Sequence, residues 1–234
     1  ESIKKKVLNG NFFFSESFIY RYTPQIFQVL ELLRNNTIGE PMSMVSNYGT
    51  NILTKKNIFG FSKKKKININ HRLHSKKLGG GTILDLGCYP VSLSILIAST
   101  ISKIDYDKIK VLDKIKELGS TEVDINSHAK LKFENGFTSE VNASFSKELG
   151  KETVIRGTDG IMRIMNPWQV EPSTIILEGK TNKKIEVECV DNIFLYEINT
   201  ISKNILEGKT KPDFPGPSIE ETIGGTKVLE KWLN

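Results

Sequence analysis

Between about residues 105 and 190 the chain is cut into short segments in which apolar and polar residues alternate: "INSHAKLKF", "FTSEVNASF", "TVIRG", "GIMRIM", "STIILEG" and "KKIEVECV". Alternation sends successive side chains to opposite faces of a strand. Turn pairs punctuate the segments at Asn135-Gly136, Asp159-Gly160 and Gly179-Lys180. Links this short can join only antiparallel neighbours. The stretch therefore predicts an antiparallel sheet. Residues 108 to 117, "KIKVLDKIKE", fit alternation through Ile109 and Val111, and equally a helical spacing through Ile109, Leu112 and Ile115. Periodicity does not choose between them, and a strand is the preferred reading.

The flanking sequence supplies helices to cover such a sheet. Thr23-Pro24 reads as a hydroxyl N-cap with proline in the first turn, followed by Ile26, Phe27, Leu30 and Leu33 on one face and Gly39 beyond the end. "PMSMVSNYGTNI" (41–52) reads as extended, and residues 82–100 as an apolar helix. Two C-terminal helices are expected, at 192–207 before Gly208 and at 218–232, the latter opened by Ser218 with Glu221 as a capping box. Ahead of all these, "ESIKKKVLNG" reads as a helix end and residues 11–19, "NFFFSESFI", as a buried strand. The fold class is α+β: an open, mostly antiparallel sheet with helices packed on one face.

With 234 residues, 38% hydrophobic and 26% charged, the chain can bury a substantial core as one large domain or two small ones. The apolar stretch at 82–101 is interrupted by Asp85, Gly87 and Pro90, so it reads as a core segment and no membrane partner is expected. The N-terminal lysines lead into no cleavage site of the secretory type, and a cytoplasmic location is expected. Cys88 and Cys189 lie in unrelated contexts and read as reduced thiols; His71, His74 and His128 lack the companions of a metal site. A net charge of +6 draws attention to "SKKKKININHRLHSKK" (62–77). No aromatic residues interleave those cations as stacking platforms would, so the run reads as a solvated loop that attracts anions, and no nucleic-acid partner is expected.

The stretch most suggestive of chemistry is "LGGGTILDLGCYPVSLSILI" (78–97). In a helix Asp85 and Tyr89, four apart, share one face. Pro90 lacks the donor that the turn at Leu86 needs, which predicts a kink beside the pair. A carboxylate in so apolar a helix needs a partner or a solvated cleft. Spacing alone leaves two readings open, a local backbone cap or a functional group, and tyrosines often serve as packing residues.

Several blocks in order along the chain resemble one family. "ESFIYRYTPQ" (16–25), "RLHSKKLGGGTILDLGCYPVSL" (72–93), "LKFENGFTSEVNASF" (131–145), "GTDGIMRIMNPW" (157–168) and "YEINTISKNILEGKTKPDFPGPSIEETIGGTKVLEKW" (196–232) are similar to the Gfo/Idh/MocA oxidoreductases, particularly their dihydrodiol and xylose dehydrogenase branch. The resemblance implies a two-domain protein in which a nicotinamide-binding Rossmann domain precedes an α+β substrate domain like the C-terminal domain of glyceraldehyde-3-phosphate dehydrogenase. This chain matches the second domain over residues 16–234, with 1–15 as a remnant of the first. No Glu-Lys-Pro segment or Gly-x-Gly-x-x-Gly fingerprint is present, since Gly79, Gly80 and Gly81 are contiguous and follow a basic loop.

By the same resemblance, Tyr89 exchanges a proton with the substrate hydroxyl or carbonyl, Asp85 orients the substrate and tunes that transfer, and Arg72 contacts a polar substrate. The implied cofactor is NAD or NADP, held by the other domain. The implied partners are a sugar, diol or related secondary alcohol and a second copy of the chain, paired through the sheet. The chain alone is expected to be inactive. The competing expectation is a sugar-binding or dimerisation module without enzymatic activity. Trp168 reads as a packing residue after a strand.

Overall fold

The computed structural model describes residues 2–10, 12–56, 58, 60–150, 152–169, 173–190 and 192–234. An eight-stranded sheet forms the frame. Its strands are β1 (Pro41–Gly49), β4 (Lys110–Leu118), β5 (Asp124–Lys132), β6 (Thr138–Ser144), β7 (Glu152–Gly157), β8 (Gly160–Met165), β9 (Thr174–Gly179) and β10 (Lys183–Glu186), in the order β10-β9-β8-β7-β1-β6-β5-β4. Every neighbouring pair is antiparallel except β1 and β6. Two further strands, β2 (Thr54–Lys56) and β3 (Ser62–Lys64), make a separate hairpin.

The ambiguous segment at 108–117 is the edge strand β4. A bulge lies between Leu112 and Ile115, and Asp113 takes a positive φ of 47°. An extra residue at that point shifts the alternation, which is why Ile109, Leu112 and Ile115 imitate a helical spacing.

One face of the sheet is covered by α2 (Pro24–Arg34), α3 (Cys88–Ile101) and α5 (Ile219–Leu233). Met44, Ala129, Leu131, Val141, Ile155, Ile164 and Ile175 project into that layer and are buried. Thr23 caps α2 by accepting from the Ile26 N–H, and Ser218 caps α5 by accepting from the Glu221 N–H. The helical stretch from Lys76 to Ile101 is long and apolar enough to cross a membrane by length and composition, but most of its apolar window is buried inside the fold. It is hydrophobic around its circumference because it is the central core helix. The opposite sheet face carries polar ladders: Asn142 donates to Asn47, His128 pairs with Asn142, and Arg163 bridges Glu152 and Glu178.

Before α2 the structure departs from the sequence expectation. Helix α1 (Ser2–Asn9) is present, but residues 12–18 form no strand, and Asn11 lies outside the described residues. Phe12 is exposed, and Phe14 donates its N–H to Thr210 O in the connector before α5. The run pairs with no strand of the sheet, whose edge strands are β10 and β4, and its Phe14 N–H is spent on the connector instead. It ends in a 3₁₀ turn, Ile19–Tyr22, that drives Tyr20, Arg21 and Tyr22 into the interior. Helix α4 (Phe194–Leu206) packs against that turn.

Candidate functional site

The glycine run turns the chain from the lysine-rich loop into the core helix, and Asp124 fixes the turn. This buried carboxylate on β5 accepts from Thr82 Oγ1 at 2.7 Å, from the Ile83 N–H at 2.7 Å and from Ser127 Oγ at 3.2 Å. Gly81 has φ +114°, and a Cβ there would lie 2.2 Å from Asp124 Oδ1. Gly80 is pressed against the carbonyl oxygens of Arg72 and Leu73. The glycines are therefore consumed by internal packing, and their backbone is not arranged as a cradle for dinucleotide phosphates.

The helix does not begin in the α form. Residues Ile83–Gly87 make a single π turn before α3 starts at Cys88. The wider turn stands where Pro90 cannot donate to the preceding turn, so the expected irregularity is absorbed as a π bulge, a form frequent at functional sites. Asp85 lies within this turn and Tyr89 just beyond it.

Arg72 donates from Nη1 to Asp85 Oδ1 at 2.5 Å, its own side chain 68% exposed and that of the aspartate 18%. Two of the expected site residues thus bond each other, and the carboxylate has a cation partner besides any local backbone role. Tyr89 faces an aromatic wall. Its ring centroid lies 5.2 Å from Tyr48, 5.7 Å from Phe18, 5.8 Å from Trp168 and 6.1 Å from Tyr20. Tyr48 and Trp168 stack with an interplanar angle of 19°, and the Trp168 indole N–H donates to Asn47 O at 2.9 Å.

Among the described residues nothing hydrogen-bonds the Tyr89 hydroxyl. Burial, and then the neighbouring Cys88, Tyr48, Asp85 and Tyr20, push its pKa up to about 12. Burial followed by Asp85 and Cys88 likewise raises the Tyr48 phenol. Both phenols are neutral near pH 7, so this site holds a proton ready for donation. Taking one up would require a cation brought beside Tyr89.

The wall stands on a buried polar hub. Tyr20 donates to Ser92 Oγ at 2.9 Å, and Arg21, 1% exposed, donates to Ser92 O, to Pro215 O and to Glu221 Oε1, the last at 2.5 Å. The capping box is consequently half made. Ser218 caps α5, while the Glu221 carboxylate is drawn to Arg21.

Sequence reasoning missed Tyr48 and Asp124 and took Trp168 for packing alone. Tyr48 continues the inward alternation of Met44 and Ser46, which was a readable signal. Asp124 opens its strand with no spacing motif to mark it.

Residues 26–163 match the GFO/IDH/MocA C-terminal domain. The trans-1,2-dihydrobenzene-1,2-diol dehydrogenase of Xenopus laevis is 26% identical over 173 residues, which are 74% of this chain and 46% of that protein. The D-xylose 1-dehydrogenase (NADP(+)) 2 of Haloferax volcanii is 22% identical over 218 residues, 92% of this chain and 59% of that protein. The chain thus spans about half the length of the curated relatives it matches. Among solved structures, a 3-ketoreductase from Actinomadura kijaniata in complex with TDP-benzene and NADP superposes with a TM-score of 0.67 at 15% identity, covering 97% of this chain and 60% of that one. An aldose-aldose oxidoreductase from Caulobacter crescentus complexed with glycerol gives a TM-score of 0.67 at 17% identity, covering 92% and 58%. At these identities the superpositions show a shared fold. More than half of the residues fall within the family match, and the chain belongs to the GFO/IDH/MocA family through its C-terminal domain.

Proposed function

We propose that this chain is the substrate-binding half of a NAD(P)-dependent oxidoreductase acting on the CH–OH group of a sugar, a diol or a related secondary alcohol. The observation that carries the reading is the Tyr89 hydroxyl, set in an aromatic wall without a hydrogen-bond partner among the described residues and with Asp85 one turn before it. The dehydrogenase and ketoreductase names of the relatives support it, as does the NADP of the xylose dehydrogenase and the ketoreductase. The glycines of this chain do not fit the cofactor phosphates, so NAD or NADP belongs to a Rossmann domain outside residues 16–234, with 1–15 as its last piece.

The cofactor supplies hydride exchange, and the residues of this chain manage the proton. Tyr89 Oη donates to the substrate oxygen in the reductive direction; burial keeps the phenol protonated beforehand, and the tyrosinate left behind needs a cation beside it. In the oxidative direction it accepts that proton only when a cation approaches. Asp85 accepts from a neighbouring substrate hydroxyl and fixes the carbon bearing the reacting oxygen, and Arg72 meets a polar substituent. A positioned acid or base of this kind contributes about 10²- to 10⁴-fold. The rings of Tyr48 and Trp168 offer an apolar face to the carbon skeleton. The protein works in the cytoplasm as a homodimer or higher oligomer whose contact is the helix-free sheet face, and the chain alone has no turnover.

The test is NAD(P)H-linked turnover of sugars and diols by the protein with its cofactor domain. Tyr89→Phe should abolish turnover and leave ligand binding within about twofold. Full activity in Tyr89→Phe would overturn the assignment.

A further inference from the structure

The most one-sided run of charge in the chain lies between Tyr48, which touches Tyr89, and Asp85. Between Glu40 and Asp85 there is no acidic residue, while positions 55–77 hold nine lysines and arginines. Among the described side chains of that run, only Arg72 has a carboxylate partner, Asp85. The hairpin β2–β3 sets Lys55 opposite Lys63, and Lys63 to Lys66 are all exposed. Like charges facing each other across a strand pair are destabilising, and an isolated two-stranded hairpin is marginal in water. Among the described residues no carboxylate meets these lysines.

Both roots of this loop reach the site. At its start, Tyr48 at the end of β1 lies against Tyr89. Two residues on, Thr50 donates its N–H to Ser144 O, and Ile52 donates to Phe145 O. Asn51 Oδ1 accepts from the N–H groups of Leu53 and Thr54, and Lys65 donates its N–H to Leu53 O, tying the lysine run to the same root. At its far end, Arg72 holds Asp85 in the turn that precedes Tyr89. The cations thus belong to a single excursion that leaves and re-enters the fold beside Tyr89.

We propose that the loop is the anion-recognition element of the Tyr89 site and that the compound handled there carries a phosphoryl group, held by Lys63 to Lys66 together with Arg72. The proposal rests on the reading of Tyr89 as the mark of the substrate site. Lysines on a loop are flexible point charges suited to a phosphate that arrives from solvent, and the guanidinium of Arg72 is a fork that matches phosphoryl oxygens. A phosphoryl group drawing on Arg72 also releases Asp85 to accept from a substrate hydroxyl. Binding and orientation at Tyr89 are then coupled through one ion pair.

Calorimetric titration of the purified protein tests this. The ligands are ribose 5-phosphate and uridine diphosphate glucose, each beside its neutral parent sugar, with inorganic phosphate and a single-stranded oligonucleotide as further probes. A phosphorylated ligand should bind at least about tenfold more tightly than its parent, and the advantage should shrink as salt is added. It should disappear in the quadruple variant Lys63→Gln, Lys64→Gln, Lys65→Gln, Lys66→Gln with the far-ultraviolet dichroism unchanged. Whichever phosphorylated ligand binds identifies a monophosphate or a nucleoside diphosphate as the source. Equal affinity for parent and phosphorylated sugar, an advantage retained in the quadruple variant, or oligonucleotide binding that the sugar phosphates do not compete would each overturn the proposal. None of these readings uses turnover. Turnover that is undiminished in Tyr89→Phe, with the phosphate preference intact, would therefore refute the reading of Tyr89 while the anion site stands.

Discussion

Arg72 and Asp85 form the ion pair that joins the lysine-rich loop to the turn carrying the core helix, with 2.5 Å between Nη1 and Oδ1. The arginine side is open to water, so the pair contributes little to folding. Arg72→Ala should change the unfolding free energy by no more than ~1 kcal/mol while weakening substrate binding. Urea unfolding monitored by dichroism, beside KM in the assembled enzyme, separates the two. A loss of stability well beyond that bound, with unchanged KM, would make the pair structural.

The contact between Gly81 and Asp124 admits no side chain. Gly81→Ala combines a left-handed φ with a Cβ placed on the carboxylate and should cost ~1–3 kcal/mol. Gly150→Ala, where nothing lies within 4 Å of the new Cβ, should stay within about 0.5 kcal/mol. Midpoints of denaturant unfolding for the two variants make the comparison, and equal midpoints would refute the packing argument.

Arg21 is buried with its charge met by Glu221 and its remaining donors by carbonyl and hydroxyl oxygens. Arg21→Ala leaves the Glu221 carboxylate and these oxygens without their partner and should destabilise by about 3–5 kcal/mol. Arg21→Lys should recover only part of this, since an ammonium cannot span the same fork of acceptors. A lysine variant as stable as the original chain would show that charge alone matters here.

At alkaline pH the buried phenols and thiol act together. Burial raises Cys88 from 9.0, and Tyr89 and Tyr106 from 10.0, each to about 12. The folded chain holds these protons more tightly than the unfolded one. Their contribution is therefore fully present below pH 9 and is lost progressively as pH rises toward 12. Cys88→Ala should remove the earliest part of that decline. Unfolding midpoints across pH 8 to 12 check it, and a flat profile in the unsubstituted chain would contradict the burial of these groups.

Much of this architecture was legible because it rests on periodicity and capping. The turn pairs at 135–136, 159–160 and 179–180 delimit β5 to β10, and Thr23 and Ser218 open helices where their hydroxyls predict. The sequence was misleading where local pattern lacks tertiary context. Phe12 to Phe14 have the composition of a strand but lie against the connector before α5, and Glu221 spaces a capping box while bonding Arg21. The Asp85 and Tyr89 pair was visible from its spacing. Its environment was not, because Tyr48, Trp168 and Phe18 converge on Tyr89 from distant segments that nothing local links.

The parallel strand β1 also imposes an order in time. Met44 pairs with Ser139 on one side and with Ile155 on the other, so the central strand is synthesised roughly a hundred residues before either neighbour. At about 5–20 residues per second on a ribosome, it waits some 5 to 20 seconds without a ladder. The sheet therefore cannot grow from its centre as the chain emerges. The hairpins β5–β6 and β7–β8 have short local connections, whereas β1 reaches its partners only across a long stretch of chain, the kind of pairing that is intrinsically slow.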